Sequence, residues 1–221
     1  AALADPKALG LGACTAMTVK LYAARKQWPL ENVRVTLHHS KIAPAEAAGD
    51  PRLDRILRVD QAGEYGAVRI YAGQMAVMGN RGPNADKVAH MATQEAEHRA
   101  AFDALLAARG GRPTALQPLW HLAGFALGAA TALIGPKAAM ACTAAIEEEI
   151  DRHYTHQLDE LAEAGVDDAE LTGLIARARD EEREHRETAL DAGAEQAPAY
   201  PLLAGAIRLG CRLAIGLSER I

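Results

Sequence analysis

Two copies of one short pattern limit this chain more than any other feature. Glu95 and His98 lie in "ATQEAEHRAAF", and Glu182 and His185 lie in "RDEEREHRETA". Each is a Glu-x-x-His pair, and no third occurs in the 221 residues. With 17 Glu and 8 His, chance placement gives about 0.6 match, so two copies are suggestive and need support from the rest of the chain. On a helix, residues three apart share a face, so each pair can present a carboxylate and an imidazole to one metal ion. A carboxylate-bridged di-iron bundle needs two such helices and one inward-facing Glu from each of two others.

The chain offers helices in the right number. Breakers divide residues 51–221 into six helical stretches: about 52–78, stopped by "GNRGPN"; 84–108, stopped by Gly110-Gly111; an apolar segment ending at Gly135; 136–164, with Pro136 in its first turn; 168–192; and a last one from Pro198 and Pro201 to about Arg220. Four are long and polar on one face, and two are apolar. The pattern predicts an all-α, ferritin-like four-helix bundle with two additional apolar helices.

The missing carboxylates lie on the helices that precede the two pairs. In "ILRVDQAGEYGAVRIYAGQMAV", Glu64 shares a stripe with Ile56, Leu57, Asp60, Val68 and Tyr71. In "GPKAAMACTAAIEEEIDRHY", Glu147 is the first charge to enter the face of Met140 and Thr143, although Glu148 and Glu149 adjoin it and spacing alone does not separate the three. Glu64 precedes Glu95 by 31 residues and Glu147 precedes Glu182 by 35, so each half repeats a Glu helix followed by a Glu-x-x-His helix. Four carboxylates and two imidazoles suit two iron ions with positions open to O2. His153 and Tyr154 return to roughly the face of Glu147, as substrate contacts, as carriers of protons and electrons, or as a satisfied polar pair near the core. Asp60, one turn before Glu64, reads either as a partner that orients a ligand His or as a surface residue.

Residues 1–48 read as a separate α+β fragment and linker, with the bundle domain at 49–221. "PKALGLGACTAMTVKLYAARKQW" has a helical pattern, and "NVRVTLHHS" alternates like a half-buried strand. One helix and one strand cannot bury a core alone. No secretory signal is expected after Ala1. A net charge of −5 gives no support to a nucleic-acid partner. Three cysteines, Cys14, Cys142 and Cys211, form no disulfide framework.

The segments "RVDQAGEYGAVRIYAGQMAV", "QEAEH", "PLWHLAGFALGAATALIGPKAAMACTAAIEEEIDRHY", "RDEEREH" and "GCRLAIGLSERI" together resemble the demethoxyubiquinone hydroxylases of ubiquinone biosynthesis, over about residues 52–221. The resemblance implies a peripherally membrane-bound di-iron monooxygenase, at the cytoplasmic face of the inner membrane if bacterial. Its substrates would be a polyprenyl demethoxyubiquinol and O2, and the metal ligands Glu64, Glu95, His98, Glu147, Glu182 and His185. It is the resemblance that chooses Glu147, and it sets His153 and Tyr154 near the quinone. It also leaves room for a lipid-binding partner protein. Electrons would come from NADH or from the quinol; no Gly-rich nucleotide fingerprint appears, so no stably bound nucleotide is expected. Upstream, "LGACTAMTVKLYAARKQWPLENVRVTLHHSKI" is similar to part of the OsmC-like thiol peroxidases, whose reactive cysteine would be Cys14. The second cysteine of that chemistry has no counterpart in context, so Cys14 is expected to be inert.

From Pro113 to Pro136 there is no Asp, Glu, Lys or Arg. Pro118, His121 and several glycines interrupt the run, which reads as an interfacial helix rather than a span. The closing segment carries Arg208 and Arg212 among apolar residues and reads as amphipathic. Two rival readings belong to other classes. A ferritin- or rubrerythrin-like iron oxidase or storage protein would keep the ligands without the apolar helices. A membrane adaptor would keep the helices without the ligands.

Overall fold

The computed structural model describes residues 50–79, 82 and 84–221. The expectations for residues 1–48, the OsmC-like fragment and Cys14, lie outside the described residues. Six α-helices follow in order: α1 Pro51–Met78, α2 Ala85–Ala108, α3 Gln117–Ile134, α4 Pro136–Glu163, α5 Ala169–Asp191 and α6 Tyr200–Ser218, with one 3-10 turn at Ala194–Gln196. No strand occurs among the described residues.

Local chemistry sets the boundaries. Asp50 caps α1 by accepting from the Arg52 amide at 2.9 Å, with Pro51 as the first helical residue. Asp168 caps α5 through the Leu171 amide at 3.1 Å, and the same carboxylate grips Arg109 just beyond α2. Glycines with positive φ end α1 at Gly79 (64°) and follow α4 at Gly165 (63°).

The helices α1, α2, α4 and α5 form the ferritin-like bundle, with α3 laid on α1 and α6 on α4. At one end Ile56, Leu57, Phe102, Leu161, Leu171 and Ile175 are fully buried. At the other, Tyr71, Val88, Met91 and Met140 pack with a run of alanines. The middle of the bundle, between these clusters, is polar.

The outer helices are held differently. Where α3 crosses α1, backbone meets backbone: a Cβ on Gly128 would lie 1.9 Å from the Ile70 carbonyl oxygen, and one on Gly73 2.2 Å from that of Phe125. No side chain fits there, which explains the glycines. Helix α6 is fixed to α4 by charge. Arg212 donates twice to Glu149, at 2.8 and 2.7 Å, and Arg208 donates to Glu148 at 2.7 Å. Trp120 on α3 also donates to the Ser218 hydroxyl at 3.0 Å.

Candidate metal centre

Six side chains from the four bundle helices converge in the polar middle layer. Glu64 comes from α1, Glu95 and His98 from α2, Glu147 from α4, and Glu182 and His185 from α5; all are buried. Their donor atoms form two overlapping groups, Glu64–Glu95–His98–Glu182 and Glu95–Glu147–Glu182–His185, within each of which the atoms lie inside 4.8 Å of one another. Glu95 and Glu182 belong to both. Nδ1 of His98 stands 3.6 Å from Glu64 and 3.4 Å from Glu182. Nδ1 of His185 stands 3.1 Å from Glu95 and from Glu182.

The surrounding contacts are exchanged between the halves of the chain. Nε2 of His98 meets Glu181 at 2.8 Å, and Nε2 of His185 meets Gln94 at 3.1 Å. The residue before the Glu of each pair therefore serves the histidine of the other pair. The tyrosines follow the same rule. Tyr71 on α1 donates to Glu147 on α4 at 2.9 Å, while Tyr154 on α4 donates to Glu64 on α1. Each tyrosine lies seven residues after the Glu of its own helix. Tyr71, from sequence only a member of the stripe of Glu64, joins Tyr154 here together with Gln94 and Glu181; the recurrence of Glu-x6-Tyr and of an amide or acid before each pair is the signal that points to them.

Packing separates the three consecutive acids on α4. Glu147 turns into the cluster, while Glu148 and Glu149 turn to the arginines of α6. His153 forms no hydrogen bond or ion pair with the six; its Nε2 lies 3.3 Å from Asp60, which also accepts from Gln157 at 2.8 Å. Asp60 is buried, and the histidine it holds belongs to neither Glu-x-x-His pair.

Electrostatics make the centre costly on its own. Burial, then the charges of Glu95 and Glu182, push Glu64 well above the usual carboxylate range. Burial and Glu182 raise Glu95 to about 7. Burial, Glu182 and Glu95 raise Glu147 as well. Glu182 moves down, because His185 and His98 beside it outweigh its burial. Burial opposes the charged form of the histidines, yet the surrounding carboxylates raise His98 to about 10 and His185 to about 9. Glu64 Oε2, both oxygens of Glu95 and Nδ1 of His98 are buried without a hydrogen-bond partner. Orphaned acceptors and crowded carboxylates in a dry interior are what a cation would satisfy, and the donor set fits metal binding. Thiol chemistry finds no support in Cys142 or Cys211, since burial pushes both thiols up to about 12.

Comparison with known proteins supplies the family. The family of the ubiquinone biosynthesis protein COQ7 matches residues 51–218. The chain belongs to the COQ7 family. A 3-demethoxyubiquinol 3-hydroxylase of Rhodospirillum rubrum is 55% identical over 193 residues, covering 85% of this chain and 90% of the relative. The human NADPH-dependent 3-demethoxyubiquinone 3-hydroxylase, mitochondrial, is 53% identical over 172 residues, with 76% of this chain and 78% of the relative covered. The Saccharomyces cerevisiae 5-demethoxyubiquinone hydroxylase, mitochondrial, is 43% identical over 182 residues, with the same shares covered. The COQ7 match runs from the first residue of α1 to the last of α6, so it takes in the four bundle helices and both outer ones.

In this COQ7-family chain an apolar cavity of about 470 Å³ is lined by none of the six cluster residues, but by sequence neighbours of Glu64 and Glu147. Helices α1, α3, α4 and α6 wall it. Gly63 and Gly66, on either side of Glu64 in sequence, and Ile146 and Ile150, on either side of Glu147, line it on the bundle side. Trp120 and Ile215 line it on the outer helices. The outward faces of those helices carry exposed Leu119, Leu122 and Leu133 on α3, and Leu202, Leu209 and Leu213 on α6.

Proposed function

We propose that this chain hydroxylates the ring of a polyprenyl demethoxyubiquinol with O2. Its centre would be two iron ions held by Glu64, Glu95, His98, Glu147, Glu182 and His185. Each of the two ligand groups would offer one ion a histidine and a Glu of its own, and Glu95 and Glu182 belong to both groups. The observation that carries this reading is the pair of overlapping buried ligand groups, with an apolar cavity lined by sequence neighbours of Glu64 and Glu147. Bound iron supplies the activation of O2, which no amino-acid side chain performs. One oxygen atom enters a ring C–H bond and the other leaves as water, consuming two electrons and two protons. The electrons come from NADH or from the quinol itself, without a stably bound nucleotide; the human relative's name carries NADPH.

The chain's own residues position and exclude. Tyr154 and Tyr71 orient Glu64 and Glu147 through their hydroxyls. Tyr154, with His153 next to it, serves the movement of protons and electrons towards the centre. Gln94 and Glu181 fix which nitrogen of each histidine faces inward. The cavity walls keep water from the ring, and the prenyl tail leaves towards the exposed leucines of α3 and α6. The protein lies on the membrane surface, at the cytoplasmic face of the inner membrane if bacterial, where a lipid-binding partner protein could hand over substrate. Helix Tyr200–Ser218 is long and apolar enough to cross a membrane. Its ion pairs to Glu148 and Glu149 favour a helix lying along the bundle. An iron-oxidase reading leaves the cavity without an occupant.

The test is direct. Iron-loaded protein given a demethoxyubiquinol, a reductant and ¹⁸O₂ should release a hydroxylated ring carrying one labelled oxygen, with about two iron ions bound per chain. Iron-replete protein that yields no labelled product defeats the reading.

A further inference from the structure

Helix α1 contains two glycines that the fold does not require. Glycine is the least favourable helix former after proline, so a glycine in a helix interior calls for a reason. Gly73 has one, since the Phe125 carbonyl occupies the space of its Cβ. Gly63 and Gly66 have none of that kind. A Cβ on Gly66 would meet nothing within 4 Å, and one on Gly63 only the Ile150 Cδ1 at 3.9 Å, an ordinary contact. Neither has a positive φ. Alanine would therefore fit both backbones and strengthen the helix.

What the two positions share is the cavity. Both line it, and they bracket Glu64, one residue before it and two after. Across from them, Ile146 and Ile150 bracket Glu147 in the same manner. This stretch of wall is where the cavity comes nearest in sequence to the two carboxylates contributed by α1 and α4. A methyl group added at either glycine would take up space in the cavity wall close in sequence to Glu64.

We infer that Gly63 and Gly66 are specificity-determining residues, which keep a slot for the quinol ring beside Glu64 and limit the bulk of its substituents. The inference rests on the hydroxylase reading for the identity of the ring, and its test separates the two. Trp120 lines the cavity, so a quinone bound there quenches its fluorescence. Trp28, the other tryptophan, is replaced by Phe in every protein compared. Gly63→Ala and Gly66→Ala are measured beside Gly205→Ala and Gly216→Ala, two α6 positions with no atom within 4 Å and outside the cavity wall.

All four variants should melt a few degrees higher than the parent. Only the first two should bind decylubiquinone more weakly, by about ten-fold or more, in metal-free protein. In iron-loaded protein the same two should raise KM more than they lower kcat, with larger losses for methoxy-bearing rings than for unsubstituted ones. Unchanged quinone binding in Gly63→Ala and Gly66→Ala would overturn the slot, and so would equal weakening in all four or a lowered melting point in the first two. A parent protein that binds the quinone in this variant-sensitive way but hydroxylates nothing would sink the proposed activity and leave the slot standing.

Discussion

Glu181 and Gln94 sit outside the cluster of six, yet they decide how its histidines face. A partner on one imidazole nitrogen fixes the tautomer and the ring orientation with which the other faces a metal, and partners of this sort typically contribute 10–100-fold in metal affinity. Glu181→Ala and Gln94→Ala are therefore each expected to weaken iron binding by about that factor, read by chelator competition, with helicity unchanged. Removing a proposed ligand, as in Glu182→Ala or His98→Ala, should abolish turnover outright. The raised groups set a pH dependence. Glu95, ordinarily near 4.5, titrates at about 7 in the folded protein, so stability falls as pH rises through that window. His98 and His185, ordinarily near 6.5, are raised to about 10 and 9, so the stability they contribute is full below 6.5 and is lost progressively as pH rises from there through 9 to 10. Both effects run the same way: metal-free protein should melt lower at pH 9 than at pH 5. Iron-loaded protein should not follow, because metal competes with protons for the same atoms. Calorimetry of both forms checks this. The pairs themselves were legible from spacing. Choosing Glu147 over Glu148 and Glu149 was not, because what turns the latter two outward is Arg208 and Arg212, some 60 residues away.

At the level of elements, the ranges of five helices were legible to within a residue or two, because proline, glycine and aspartate act locally at many of their ends; the start of α3 was not, since no breaker precedes Gln117 within the run after Pro113. The fit between helices was not. In the charge-free run after Pro113, Gly124 and Gly128 look like interruptions of an apolar stretch. In the fold they are the surface by which α3 meets α1, with the Cβ space of Gly124 only 2.9 Å from the Gly66 carbonyl oxygen. Such a role depends on the partner's backbone, which no single-helix pattern contains. Gly128→Val should cost roughly 1–3 kcal/mol or more through overpacking. It should expose α3 to proteolysis before the other helices, and limited digestion followed by mass spectrometry reads this. Gly205→Val, where nothing lies within 4 Å, should not do so.

For the whole molecule, the exposed leucines of α3 and α6 predict where it meets lipid. Burying one such side chain contributes about 1.5–3 kcal/mol, so two acidic replacements should suffice to release the protein. Leu133→Glu with Leu213→Glu is expected to abolish binding to liposomes and turnover of a long-chain quinol, while a short soluble quinol is still hydroxylated. Equal loss on both substrates would indicate damage to the bundle instead. We also propose that the bundle is a domain of its own from residue 49, and deletion of 1–48 should leave iron content and hydroxylation unchanged. Within that domain, partners are traded across the middle layer: Tyr71 goes to Glu147 and Tyr154 to Glu64, Gln94 to His185 and Glu181 to His98. The arrangement is that of a domain-swapped dimer written on a single chain, in which each half carries the same parts and lends them to the other. Neither half can therefore keep a working share of the centre when the other is damaged, and a fault anywhere in the middle layer is felt on both sides of it.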